Sequence, residues 1–295
     1  MSDTTASLSR KITSAGDLQA VVRTMKALAA SSIGQYEKSV RSLQDYTRTV
    51  ELGLALCLRK TSLAAFSATA RSGPQLSVGA VVFGSDQGLV GKFNDVIADF
   101  AVQTLQAHPG NAQVWAVGER VHARLTDAGL APIGLFAVPG SVEAIVPLVG
   151  EIQIESEARR AKGDYAQFYV FHNRPESGAL YTPVSQRLLP LDGSWAEQLA
   201  KIPWPRKKLA EIMGGDAVTL RAYIREYLFI SLFRACAESL AGENASRLAA
   251  MQRADKNIDD LLGTLHVSFH QLRQSGIDEE LFDVIAGFEA LRSRP

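Results

Sequence analysis

The sequence predicts an α/β protein in which long N- and C-terminal helices form an antiparallel coiled coil around an inserted α/β domain. Three observations predict it. A helical pattern runs without proline from about Asp216 to Gly287. A second proline-free pattern covers residues 6–60. The stretch between them, residues 76–205, changes to short β-branched runs that alternate with helical patterns.

On the C-terminal helix, apolar residues recur at Leu240, Leu248, Met251, Ile258, Leu262, Leu265, Phe269 and Leu272, with Asn244 and Asp255 filling the missing beats. From Leu248 onward the steps alternate three and four, the spacing of a coiled-coil seam. At 1.5 Å per residue, ~70 helical residues span roughly 105 Å, longer than any domain this chain could build. A second stripe runs through the N-terminal helix at Leu8, Ile12, Ala15, Val22, Met25, Ala29, Tyr36, Val40, Leu43, Val50 and Leu54. Gly16, Gly34 and Gly53 interrupt it, each weakening the helix by about 1 kcal/mol. Two heptad-like segments at opposite chain ends fit an antiparallel pair. Ser72-Gly73-Pro74 is a turn signal that closes this part of the chain.

In the middle, strands are expected at Leu76–Phe83, Val114–Val117, Ile133–Val138, Phe168–Phe171 and Val184–Leu189. Helices are expected at 92–107, 119–128 and 141–159. That alternation predicts a mostly parallel sheet with helices on its faces, a Rossmann-like α/β domain. Residues 192–215, with Asp192-Gly193, Pro203, Pro205 and Gly214-Gly215, are expected to be loop, with Asp216 as the N-cap of the long helix. The expected division is 1–60, 61–208 and 209–295.

Composition narrows the function classes. Lys+Arg and Asp+Glu are equal at 31 each, so no dominant nucleic-acid footprint is expected. The balance is uneven along the chain. Residues 1–60 carry nine basic and five acidic side chains, whereas residues 209–295 carry nine and thirteen. Opposite charge is therefore expected to help the two long helices choose each other. Cys57 and Cys236 make neither a metal spacing nor C-x-x-C, and are expected to be small buried hydrophobes of a reduced chain. The N-terminus has no apolar h-region and no Arg-rich, acid-poor extension, which points to a bacterial protein with no signal peptide. No stretch reaches 18 apolar residues, so no membrane span is expected.

Gly84-Ser85-Asp86-Gln87-Gly88-Leu89-Val90-Gly91-Lys92 follows the first strand and opens a helix, a setting that invites phosphate. A Walker A loop needs glycine where Asp86 stands and Ser or Thr where Phe93 stands. The expectation is a tight turn rather than a nucleotide site. His266 and His270 lie four apart on a helix, but Val267 follows His266, so no H-E-x-x-H arrangement forms. Arg206-Lys207-Lys208 is a short basic run suited to a solvated loop or an acidic partner. No cofactor, metal or catalytic residue is expected.

The segment Glu238-Ser239-Leu240-Ala241-Gly242-Glu243-Asn244-Ala245-Ser246-Arg247-Leu248-Ala249-Ala250-Met251, with Ala254 and Asn257 beyond it, is specific. It resembles the signature of F-type ATP synthase gamma subunits, E-x-x-A-S-E-x-x-A-R-M-x-A-M followed by A-x-x-N. Arg273-Gln274 with Ile277 and Glu280-Leu281 resembles the family's R-Q-x-x-I-T-x-E-L. Arg10-Lys11-Ile12-x-Ser14 and Thr24-Met25-Lys26-x-Leu28-Ala29-Ala30-Ser31 resemble its N-terminal motifs, R-x-K-I-x-S and T-x-A-M-x-x-V-A-A-S. Ser85-Asp86-Gln87-Gly88-Leu89-Val90-Gly91-Lys92-Phe93-Asn94 resembles S-D-R-G-L-C-G-G-L-N. The resemblance covers the chain in the family's order. Departures are Gly242 for Ser, Leu248 for Met, Val90, Lys92 and Phe93 for Cys, Gly and Leu, Asp278 for Thr, and Lys26 where an acidic residue is usual. They point to a divergent bacterial branch, and no cysteine pair in 192–215 implies a thiol switch.

The resemblance implies a non-catalytic rotor that carries torque between a membrane ring and a catalytic head during ATP synthesis coupled to proton or sodium transport. Its implied partners are the alpha, beta and epsilon subunits and the c-ring, on the cytoplasmic face of the bacterial inner membrane. Met25, Lys26, Arg247, Gln274 and Asp278 are the implied partner contacts, and Gly88, Gly91 and Asn94 belong to the globular turn. The alternatives are an α/β enzyme with a helical oligomerisation stalk and a filamentous coiled-coil adaptor.

Overall fold

Strand β1 (Val78–Phe83) is a run of six buried residues, and its two faces supply two different cores. Successive side chains of a strand point to opposite faces. In the computed structural model, which describes residues 4–60, 77–108, 110–176, 179–191, 193–205 and 215–292, Val78, Ala80 and Val82 pack on α2 (Phe93–Gln106) and α3 (Glu119–Asp127). Val81 and Phe83 pack the other way, on α4 (Ile145–Lys162) and part of the long C-terminal helix α6 (Asp216–Arg292). Burial on both faces is why β1 reads as an unbroken apolar run.

The sheet is five-stranded, in the order β3-β2-β1-β4-β5. The strands are β2 (Ala112–Val117), β3 (Gly134–Phe136), β4 (Gln167–Glu176) and β5 (Ala179–Leu189). β1 pairs in parallel with β2 and β4, β2 pairs in parallel with β3, and β5 is antiparallel to β4. The mostly parallel sheet is therefore as expected, α2 and α3 match their patterns to within a residue, and α4, expected at 141–159, runs from Ile145 to Lys162. Residues 193–200 were expected to be loop and instead form a helix, α5. Its Ala196 and Leu199 are buried with Val50, Leu54 and Leu58 of the N-terminal helix α1 (Thr5–Lys60) and Leu220 and Ile230 of α6. Eight residues are too few for a periodic signal, and Asp192-Gly193 looks like a turn. Asp216 lies inside the first turn of α6, where an acidic side chain complements the helix dipole, rather than at its cap. The Ser72-Gly73-Pro74 turn and the Arg206-Lys207-Lys208 run lie outside the described residues.

The chain divides into two compact units, residues 29–247 and residues 1–28 with 248–295. In the larger unit α6 is buried nearly all round from Ile230 to Asn244, between the sheet and α1. Tyr36 of α1 joins the sheet core there, and Cys57 and Cys236 are both fully buried. In the smaller unit the two long helices pack on a narrow seam. Ala15 and Val22 meet Met251 and Ile258, with Met25, Ala254, Leu262 and Leu265 against them. Polar contacts fix the direction. Gln19 donates to Asp259, and Arg23 and Lys26 pair with Asp255, so partner numbers fall as α1 advances and the pair is antiparallel.

Six buried positions of α1, Leu8, Ala15, Val22, Ala29, Tyr36 and Val50, share one heptad position, on which Leu43 is only half-buried, while Leu54, Ala55 and Leu58 are buried off it. Gln19, also buried, belongs to the seam, although its polarity hides it in a hydrophobicity scan.

The glycines of α1 separate by environment. A side chain added at Gly34 meets nothing within 4 Å, whereas one at Gly53 would press into the Tyr223 ring at 2.4 Å. Gly34→Ala is expected to raise the stability of the isolated chain by about 1 kcal/mol through helix propensity. Gly53→Ala loses that gain to the displaced ring. Urea unfolding of the two variants checks the contrast.

Candidate functional site

The glycine-rich turn after β1 sits at the carboxyl ends of the parallel strands, the edge where open α/β sheets bind ligands. Here a side chain of the protein occupies that position. Asp86 Oδ1 accepts from the Glu119 N–H at the start of α3 (3.0 Å), and Oδ2 accepts from the Val138 N–H (2.9 Å). A helix N-terminus attracts anions because its first amides lack partners and its dipole is positive there. The Asp86 carboxylate supplies that anion from within the chain.

Asn94 closes the turn from the other side. Its carbonyl oxygen accepts from the Ser85 N–H at 3.0 Å, and its amide donates to Ser85 Oγ at 2.8 Å. Ser246 of α6 donates to the Val90 carbonyl, and Asn173 of β4 to the Phe93 carbonyl. Gly91 has φ +58° and Leu89 +63°, so the turn does use left-handed backbone. Gly88 is not in that region. The tightest glycines are Gly84, where a Cβ would lie 2.3 Å from Val121, and Gly118, at φ +116° with Ser85 backbone 2.8 Å from a Cβ.

A buried carboxylate joins this sheet to α6. Glu238 Oε2 is 2.8 Å from His172 Nε2 and 2.9 Å from Arg174 Nε, and Oε1 is 2.7 Å from Arg234 Nε. Burial opposes ionisation of Glu238, but the hydrogen bonds from His172, Arg234 and Arg174 outweigh it and hold the carboxyl at about 2. Five residues on, Glu243 pairs with Arg247 at 2.6 Å, and burial pushes its carboxyl above the usual range while Arg247 pulls it back. Glu238, Glu243 and Arg247 all belong to the signature segment. Gly242 lies between them, and a Cβ there would stand 3.1 Å from the Asn173 carbonyl and 3.5 Å from the Phe93 ring. Two departures from the family pattern, Gly242 and Phe93, thus face each other. The Phe93 ring in turn meets Tyr181 edge-on at 5.2 Å.

The structure places the five expected contact residues in three settings. Met25 packs beside the seam, and Lys26 lies within it, bonded to Asp255 at 2.6 Å. Arg247 belongs to the larger unit, where Glu243 and Asn244 hold its guanidinium and only 14 % of the side chain is exposed. Gln274 and Asp278 stand exposed on the last turns of α6. Around them Ile277, Leu281, Phe282, Val284, Ile285 and Phe288 are all exposed. His266 and His270 are exposed as well, and among the described residues no three side chains assemble into a metal site. No described helix is long and apolar enough to cross a membrane.

Among the described residues, Asp86 fills the anion position of the turn, and α6 carries exposed apolar surface from Ile277 to Phe288. The family model described as ATP synthase matches residues 4–291. The ATP synthase gamma chain of Syntrophus aciditrophicus is 26% identical over 298 residues, covering 96% of this chain and 97% of its own length. That of Granulibacter bethesdensis is 26% identical over 297 residues, covering 95% of this chain and 97% of its own. A chain of the Euglena gracilis mitochondrial ATP synthase superposes with a TM-score of 0.65 at 14% identity, covering 98% of this chain and 95% of its own. A central-stalk chain of the Tetrahymena thermophila mitochondrial enzyme gives 0.57 at 18%, covering 79% and 99%. The chain belongs to the ATP synthase gamma-chain family, whose members are non-catalytic central-stalk subunits. That membership sets aside the enzyme and filament alternatives.

Two outcomes follow from the buried carboxylates. Glu238→Gln keeps the shape but removes the charge from three donors, and is expected to cost about 3 kcal/mol near neutral pH. Because the folded carboxyl is depressed below its ordinary 4.5, its stabilisation is complete above that value and is lost as pH falls toward about 2. The gap between wild type and Glu238→Gln in urea unfolding should narrow over that window. Asp86→Ala strands two backbone amides and should cost about 2 kcal/mol by the same measurement.

Proposed function

We propose that this chain is the rotor shaft of a bacterial F-type ATP synthase. It carries torque between the membrane c-ring and the alpha/beta head during ATP synthesis coupled to proton or sodium transport. The observation that carries the reading is the exposed apolar run from Ile277 to Phe288 at the end of a helix that belongs to this family. Six large apolar side chains on a dozen residues of free helix need cover, and contiguous apolar patches of this kind mark protein interfaces. A sleeve formed by other subunits gives that cover while leaving the helix free to turn.

The reading includes the partners alpha, beta and epsilon, and a peripheral location on the cytoplasmic face of the inner membrane. It keeps the division into an N-terminal helix (1–60), an α/β domain (61–208) and a C-terminal helix (209–295). Met25, Lys26, Gln274 and Asp278 are assigned as contacts with the head through the surface the seam leaves open. Arg247 is assigned the same role with the least open surface, since Glu243 already holds it.

Co-expression with alpha and beta subunits of a related bacterium tests the reading. The full chain should copurify with them and support ATP hydrolysis by the complex. Truncation after Gln274 should weaken assembly and leave the melting of the α/β unit unchanged. Copurification with neither subunit would overturn it, and a large fall in the melting of the α/β unit would show that the tip folds back on it.

A further inference from the structure

We propose that the cleft between α4 and the N-terminal turns of α6 binds a free, single-chain anionic amphiphile. The ligand is an alkyl carboxylate whose chain lies in the cleft and whose head meets Arg160 and Arg221.

The cleft opens where the apolar pattern of α4 runs out. The first half of that helix sends Ile145, Leu148, Val149 and Ile152 into the sheet core. In the second half the positions that line the cleft are Gln153, Ser156, Glu157 and Arg160, a polar stripe at helical spacing. On the α6 wall Ala222 stands beside Arg221 and is too small to reach across. What remains is a cavity of about 500 Å³, lined wholly by residues of the larger unit. Small-molecule sites occupy roughly 300–1,000 Å³ and are mostly apolar with a few placed polar groups.

The inner part of the cleft is apolar. Tyr165, Phe168, Leu188 and Leu232 of the sheet core line it, with Leu228 half-buried beside them. The Tyr165 hydroxyl is committed to the Ser156 carbonyl, so the ring offers apolar surface. Apolar surface left facing water is unfavourable, and a hydrocarbon chain removes it from water.

The mouth is cationic. Arg160, Arg221 and Arg225 line it against one carboxylate, Glu157. Arg225 takes that carboxylate at 3.2 Å, and Gln153 Nε2 donates to the Arg225 carbonyl at 3.1 Å, so the two walls are tied together. Among the described residues neither Arg160 nor Arg221 has an ion-pair partner. A guanidinium presents a planar fork of donors that matches a carboxylate. Two uncommitted forks over an apolar interior fit a molecule that is hydrocarbon at one end and anionic at the other. A cavity of this size takes one alkyl chain and not the two of a phospholipid, which makes the occupant a free amphiphile rather than a bilayer.

The site is a property of the chain alone and does not rest on the rotor reading. Calorimetric titration of the full chain with decanoate, below its micellar concentration, tests it. One site is expected, with affinity rising about fourfold for each methylene from octanoate to decanoate. The neutral analogue 1-decanol should bind about tenfold more weakly, because it lacks the charge-assisted hydrogen bonds. Arg160→Gln with Arg221→Gln should weaken decanoate by about the same tenfold and leave 1-decanol unchanged. Both arginines are exposed, so the melting temperature should hold. Ala222→Phe, at an exposed position of the rim, should close the cleft to both ligands. Equal affinity for decanoate and 1-decanol would overturn the proposal. So would decanoate binding that neither the arginine pair nor Ala222→Phe changes. Binding to vesicles containing phosphatidylglycerol with no response to decanoate would also overturn it, because surface charge and not the cleft would then supply the attraction.

Discussion

One helix must satisfy two different surroundings, and the rest of the structure follows from that. From Ile230 to Asn244, α6 runs between a sheet face and another helix, and nearly every side chain there is buried. Beyond Leu248 it has a single helical neighbour in its own unit and buries only a stripe, marked by Met251 and Ile258. A helix buried all round needs small and apolar residues on every face. A helix in a two-stranded seam needs them about twice in seven. The sequence changes accordingly, from Leu232-Phe233-Arg234-Ala235-Cys236-Ala237 to the polar-rich Met251-Gln252-Arg253-Ala254-Asp255-Lys256. The carboxylates that must lie in the first region, Glu238 and Glu243, are each given their own arginine partner. Those in the second, Asp255 and Asp259, lie at or beside the seam, where cations of α1 reach them.

The α/β unit shows how a fold associated with ligand binding becomes a structural head. Its parallel strands end in a glycine-rich turn and a helix N-terminus, as in nucleotide-binding sheets. Asp86 then spans from the turn to the amides of Glu119 and Val138. Asn94 and Asn173 brace the turn, and Ser246 ties it to α6. Groups that would cradle a phosphate elsewhere are spent within the chain on holding sheet, turn and long helix together.

Much of this was legible in the sequence where periodicity is long. The heptad positions of α1 from Leu8 to Leu54 were readable because seven repeats outweigh three glycines and one buried glutamine. The buried strands β1 and β2 were readable as unbroken apolar runs. Short or paired features were not. Helix α5 is too brief to show a period, and β4 and β5 extend well past their apolar cores because main-chain pairing, not side-chain type, carries the hairpin. At the site, the family motif located the residues but not their partners. The union of Glu238 with His172 and Arg174 spans more than sixty residues of sequence, and no local pattern announces it. Lys26 was legible as a departure in charge. Its reason, a carboxylate 2.6 Å away on the other helix, became visible only with Asp255 opposite. The bias of charge between the chain ends does reappear as contacts, since the described ion pairs between the two long helices place the cation on α1 and the carboxylate on α6.

The central claim is that this chain turns inside a head of other subunits. The most direct measurement fixes the complex to a surface through its beta subunits and attaches a bead to a cysteine introduced on the exposed face of the α/β unit. With ATP supplied, the account predicts stepwise unidirectional rotation of the bead. ATP hydrolysis by the complex with a bead that does not turn would contradict it.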